Sequence, residues 1–263
     1  GGPRTPLLFV HGGLHGWWAW ERWMGYFAAA GWRCYAMSLR NHTGSRAVAT
    51  EAYLRLTVRD YADDVRTVAQ WLDRPPVLVG HSMGGIVVQK AAVETRVAGL
   101  VLVGSVGPGQ LGRIRDPLPA DRPLMFDKAH CRDLWFSEID ELSLAAFHAR
   151  LVPESPGVLN DYSGGGISIA RDRITCPVLV IGGEFDATPV HRPREIAAFY
   201  TCPCLVVPNA AHNLMMESAA LPVAMRLNEW LLAAVDGPAL PPATGPSGPS
   251  GSSEAQPTTI PTA

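Results

Sequence analysis

Strand-sized apolar runs alternate with longer stretches of helical period along most of the chain. Leu7-Leu8-Phe9-Val10 stops at His11-Gly12-Gly13, and about Trp18 to Ala30 then reads as a helix closed by Gly31. Arg33 to Leu39 is a second strand, followed by a polar loop through Asn41, His42, Thr43, Gly44 and Ser45. Thr57-Val58-Arg59-Asp60 has the form of a capping box and opens a helix to about Leu72, where Pro75-Pro76 ends it. Val77–Gly80, Gly99–Val103, Pro177–Ile181 and Pro203–Val207 are further strands. A helix starts directly after Ser82 and runs to about Glu94. The last helix covers about Ala219 to Ala234, with Leu221, Met225, Leu227, Trp230 and Leu231 as its apolar face. Strands alternating with helices predict an α/β protein with a parallel sheet flanked by helices.

The rhythm lapses between about Val106 and Arg173. Pro108, Pro117, Pro119 and Pro123 mark a loop, helical patterns follow at Phe126–Phe136 and Ile139–Leu151, and Gly164-Gly165-Gly166 precedes the return to the sheet. Phe126, Trp135, Phe136 and Phe147 call for burial, so the segment is expected to lie over one end of the sheet. The domain plan is a core of residues 1–105 and 174–235, an inserted cap of 106–173, and a Pro/Gly/Ser-rich tail of 236–263 expected to be disordered.

At 263 residues and 47% hydrophobic, the chain can bury one sizeable core. Charged residues are 17% with a net charge of -2, and the arginines stand singly, which gives no footing for nucleic acid or an anionic membrane. No apolar run approaches the roughly 20 residues of a membrane span. The five cysteines are too irregular for a disulfide framework and read as inert thiols. With no signal-peptide pattern at Gly1-Gly2-Pro3, a cytoplasmic location is the default expectation.

Gly80-His81-Ser82-Met83-Gly84 fits G-x-S-x-G between a strand and a helix, the setting a nucleophile elbow requires. Such a turn would lift Ser82 Oγ above the sheet at a helix N-terminus. A serine hydroxyl needs a base, and His212 follows the strand Leu205–Val207 in a loop at the sheet's C-terminal edge. Asp186 follows the preceding strand and is placed to orient that imidazole, in preference to Glu184 two positions earlier. Taken singly, His212 also reads as a capping or core histidine and Asp186 as a turn residue before Pro189. The order Ser82, Asp186, His212 together with the elbow favours a triad. The backbone N–H groups of Met83 and Gly13 are the candidate oxyanion donors.

His11-Gly12-Gly13, Gly80-His81-Ser82-Met83-Gly84, Gly183-Glu184-Phe185-Asp186 and Ala211-His212 resemble the α/β-hydrolase superfamily, in its esterase, lipase and haloperoxidase-like branch. The resemblance covers about residues 5–235 and implies a mostly parallel central sheet, a helical cap at about 106–170, and catalysis without a cofactor or metal. Two strands that commonly precede the first one have no counterpart before Leu7, so the expectation is either a truncated chain or a sheet of about six strands. Asn41-His42-Thr43-Gly44-Ser45 departs from the G-H-G-x-S common in relatives.

The substrate-lining candidates are Leu14, His15, Trp17, Trp18, Trp135 and Phe136, although Trp17 and Trp18 equally suit anchors of the first helix. With no fixed charge marked for an ionic substrate, the expected partner is a small, largely apolar ester, thioester or lactone hydrolysed through an acyl-enzyme on Ser82. The same machinery in this superfamily also serves lyases, C–C bond-forming enzymes and acyltransferases. A ligand-binding receptor with a vestigial triad is a further alternative.

Overall fold

Runs such as Leu7–Val10, Val77–Val79 and Leu100–Val103 contain no polar side chain, so both faces of the sheet they form must be covered. The computed structural model, which describes residues 4–237, meets that need with helices on both sides. Its elements in chain order are β1 (Leu7–Val10), α1 (Glu21–Ala29), β2 (Cys34–Met37), α2 (Thr50–Tyr53), α3 (Val58–Trp71), β3 (Val77–His81), α4 (Met83–Glu94), β4 (Gly99–Val103), α5 (Lys128–Trp135), α6 (Glu141–His148), α7 (Pro156–Ser163), β5 (Val178–Gly183), α8 (Pro193–Tyr200), β6 (Cys204–Val207) and α9 (Ala220–Ala234). The strands form one parallel sheet in the order β2-β1-β3-β4-β5-β6.

Alternation along each strand divides the core in two. Leu7, Phe9, Val77, Val79, Val101 and Val103 pack with Trp20, Trp23, Phe27, Leu227 and Leu231 on one face. Leu8, Val10, Leu78, Leu100 and Leu102 pack with Val65, Ile86, Val87 and Ile196 on the other. The chain passes from β1 to the edge strand β2, then crosses back to β3 on the other side of β1 and continues to β4. The loops after β1 and β3 therefore diverge, which opens a crevice at the C-terminal end of this strand pair.

Local signals explain most element ends. Thr57 caps α3 by accepting from Asp60 N at 3.4 Å, and Asp60 accepts from Thr57 N at 2.9 Å, as the capping box predicts. The helix expected from Trp18 begins instead as a 3-10 turn over Trp17–Trp20 and becomes α-helical at Glu21. On α9, Leu221 and Met225 are exposed, whereas Ala220, Val223, Ala224, Leu227 and Leu231 are buried. The small residues of that face let α1 approach closely, with Trp23 donating to the Ala220 carbonyl at 2.9 Å.

Residues 106–173 leave the sheet after β4 and return at β5, carrying α5, α6 and also α7, which the hydrophobic pattern did not predict. The signal for α7 was present: Ser155 caps it through Val158 N, and Pro156 occupies its first turn. The expected tail lies outside the described residues apart from Asp236 and Gly237. Asp236 accepts from Thr5 Oγ1 at 2.6 Å, which ties the end of α9 to the start of β1. Among the described residues no helix is long and apolar enough to cross a membrane.

Candidate active site

The strand β3 ends and the helix α4 begins within two residues, and Ser82 takes up the reversal with φ 53° and ψ -120°. That left-handed φ costs a non-glycine residue on the order of 1–2 kcal/mol, and the surroundings hold it there. Ser82 N donates to the Val103 carbonyl at 3.0 Å, and its own carbonyl accepts from Gly85 N at 2.9 Å and Val106 N at 3.1 Å. A side chain at Gly84 would overlap the carbonyl oxygens of Val10 and His11, so glycine there lets the start of α4 rest on the end of β1. The same closeness recurs at Gly12, where a Cβ would lie 2.7 Å from His81 Nδ1 and 2.9 Å from Ser82 Cβ.

His212, in the loop after β6, sits with Nδ1 2.8 Å from Asp186 Oδ2 in the loop after β5. The other oxygen of Asp186 accepts from Thr188 N at 2.9 Å, which fixes the carboxylate's rotation. Glu184 turns away and caps the β6 turn, accepting from Asn209 N at 3.2 Å. Buried His81 donates from Nε2 to the His212 carbonyl at 3.1 Å, and Glu217 accepts from Ala211 N at 3.0 Å, so the histidine loop is held from two sides. Burial keeps His81 well below the ordinary histidine range, and the nearby rings of His212 and His15 add to the effect.

The loop after β1 is fixed by a denser set of bonds. Its peptide between Gly13 and Leu14 is held at both ends: the carbonyl accepts from His15 Nδ1 at 2.6 Å, and Leu14 N donates to Glu154 Oε2 at 3.1 Å. Leu14 is thereby kept at φ 65°, another left-handed non-glycine. His11 donates from Nδ1 to the Gly12 carbonyl at 2.8 Å and accepts Leu39 N on Nε2 at 3.0 Å, a pattern that requires the neutral ring. Burial, then the charge on His42, push the His11 pKa down to about 3. Burial lowers His15 to about 4.

Glu154 comes from the insertion and is fully buried. Besides Leu14 N it accepts His42 Nε2 at 3.0 Å, Tyr61 Oη at 2.8 Å, Tyr53 Oη at 3.4 Å and Ser155 N at 2.9 Å. His42 Nδ1 faces the Arg40 carbonyl at 3.1 Å, so both ring nitrogens meet acceptors and the ring is an imidazolium. Burial opposes charge on both partners, but each stabilises the other: Glu154 is held at about 2 and His42 above its usual value. His42, in the loop after β2, is thereby part of a buried ion pair with an acid of the insertion.

Ser82 and His212 open on a cavity of about 210 Å³. Of the residues picked from the sequence, Gly13, Leu14, His15 and Trp135 line it. Trp18 lies behind the wall, stacked 5.5 Å from the His15 ring. Trp17 is 40% exposed, its backbone N–H bonded to Ser38 at the end of β2. Phe136, the residue after α5, packs on Phe147 at 5.0 Å and lines a separate cleft. Met83, whose N–H begins α4, is buried in the core. The sequence pattern did not single out Arg115, Leu118, His130, Leu159, Tyr162 and Thr188, which complete the wall together with neighbouring residues. All but Thr188 come from the insertion, whose loops carry no motif.

The chain's residues 7–226 match the model of an alpha/beta hydrolase family. Solved structures share the architecture at low identity. A methylesterase from Arabidopsis superposes with a TM-score of 0.71 at 17% identity, over 87% of this chain and 99% of that one. A putative aryl esterase from Burkholderia cenocepacia gives 0.69 at 19%, over 90% and 93%. A thermophilic esterase from Thermogutta terrifontis gives 0.68 at 23%, over 89% and 92%. No curated protein matches the sequence.

Proposed function

The chain belongs to the alpha/beta hydrolase family, and from that premise we propose that it hydrolyses carboxylic esters through an acyl-enzyme on Ser82. The observation that carries this reading is the 2.8 Å contact between Asp186 and His212 beside the same cavity as Ser82 in its left-handed turn. Asp186 holds the proton of His212 on Nδ1, which leaves Nε2 as the base that takes the serine proton. Ser82 Oγ attacks the acyl carbon, and the N–H groups of Gly13 and Met83 stabilise the oxyanion. His212 then protonates the departing alcohol. A water activated by the same nitrogen releases the acid and restores Ser82. The insertion over 106–173 serves as the cap, since it supplies most of the wall facing the serine. The esterase descriptions of the structural neighbours accord with this chemistry.

Labelling with a fluorophosphonate tests the assignment. The unaltered protein is expected to be labelled on Ser82, and Ser82→Ala to lose both label and esterase activity while keeping its melting temperature. Persistent labelling in the variant would move the nucleophile elsewhere.

A further inference from the structure

The cavity wall carries, among the described residues, one permanent charge and no carboxylate. Among the residues that line it there is no aspartate or glutamate, and Leu118, Leu134, Trp135, Leu159 and Val190 make it largely apolar. Arg115 stands in this wall. Its guanidinium carbon lies 5.6 Å from the ring centre of Tyr162, itself a lining residue. One terminal nitrogen donates weakly, at 3.4 Å, to the Leu159 carbonyl. Its Nε is buried without a hydrogen-bond partner among the described residues. The neighbouring carboxylate does not help, because Asp116 is exposed and pairs with Arg113 at 3.3 Å. Glu154 is occupied by His42 and four further donors. His15 stays neutral, with Nδ1 on the Gly13 carbonyl and Nε2 3.4 Å from Asn213 Nδ2.

A buried N–H without an acceptor is costly, and a guanidinium presents its donors as a planar fork that fits a carboxylate. We propose that Arg115 receives a carboxylate carried by the substrate at its end remote from the scissile bond. The substrate class is then an ester with an apolar middle and one anionic end, such as the monoester of a short dicarboxylic acid. A monoanion is the match, since a single fixed positive charge in an apolar wall balances one negative charge and leaves a phosphate dianion half uncompensated. This inference rests on the ester-hydrolase reading for the reaction, but not for the binding.

The test uses two length-matched pairs: monomethyl adipate against methyl hexanoate, and 5-acetoxypentanoate against pentyl acetate. In at least one pair kcat/KM is expected to favour the anionic ester by tenfold or more. Arg115→Gln should remove that preference by lowering kcat/KM for the anionic ester more than for the neutral one, and Arg115→Lys should retain part of it. Binding is measured separately on Ser82→Ala by calorimetry, with adipic acid monoamide against hexanamide. If no ester is turned over but the monoamide still binds tenfold more tightly and Arg115→Gln abolishes the difference, the carboxylate site stands and the hydrolase reading falls. Equal use of both members of each pair, a ratio that survives Arg115→Gln, or equal binding of the two amides where no ester is turned over would overturn the proposal.

Discussion

Two histidine–carboxylate pairs lie close to the same crevice, and in the function proposed above they serve opposite purposes. His212 meets Asp186 at 2.8 Å, and His42 meets Glu154 at 3.0 Å. In the first pair, Nδ1 is held by the carboxylate and the residue borders the cavity with Ser82. In the second, both nitrogens face acceptors and both side chains are sealed from solvent. A ring whose two N–H bonds are both engaged cannot take up or release a proton during turnover. Glu154 has five donors around it, so its charge is a fixed part of the architecture. What separates a proton carrier from a strut is therefore the number of nitrogens left for chemistry and access to the cavity. The bond length between imidazole and carboxylate does not distinguish them.

The sharpest way to break the comparison is to neutralise each carboxylate in turn. Asp186→Asn should lower kcat by about 10⁴-fold, by analogy with other triad aspartates, because the amide no longer enforces the working tautomer. Its melting temperature should stay near that of the parent. A loss under tenfold would demote Asp186 to a turn residue.

Glu154→Gln is expected to act the other way, through stability first. It breaks the buried pair, so that His42 must give up its proton and Tyr61, Leu14 N and Ser155 N lose a charged acceptor, a change that costs about 3–5 kcal/mol. In a domain of this size that corresponds to a melting temperature lower by roughly 10 °C. Adding His42→Gln should recover part of the loss, since the ring that needs the carboxylate is then gone. Calorimetry on the single and double variants decides this, and an unchanged melting temperature in Glu154→Gln would show the pair to be dispensable.

Acid titration sharpens the same contrast. Unfolded, His11 and His15 bind protons below about pH 6.5, whereas in the fold they stay neutral until about 3 and 4. The unfolded state thus gains protons first, and stability should fall as pH drops from about 6.5 towards 4. Glu154 extends the decline, because its unfolded pKa of about 4.3 exceeds the value of about 2 in the fold. The melting temperature followed across pH 7 to 4 should slope downwards, and His11→Gln should make the slope shallower. The smallest effect is reserved for Glu184→Gln. Its carboxylate caps the β6 turn at the surface, and kcat/KM should change less than about twofold.

What was legible in the sequence follows the range of the interactions. β1, β4, the capping box and the elbow depend on neighbours within a few residues, and each stands where the pattern put it. The meeting of Asp186 with His212 was legible because strand order sets the loops after β5 and β6 side by side at one edge. Glu154 meets Leu14 across 140 positions and His42 across 112, and no local rule connects them. Arg115 reads as one more scattered basic residue until the insertion folds over the sheet. Trp17 and Phe136 do not line the cavity: Trp17 sits exposed in a 3-10 turn, and Phe136, just past the end of α5, lines a separate cleft.

Glu154 belongs to the insertion, yet its carboxylate completes the loop after β1. The insertion is therefore not an interchangeable module. A chimera that grafted a foreign segment between β4 and β5 would inherit His42 without its acid and an unanchored Leu14, however well the new wall suited its substrate. Compatibility in such a transplant would turn on carrying an acid to this one position, and ancestral exchange of the segment would have been constrained in the same way.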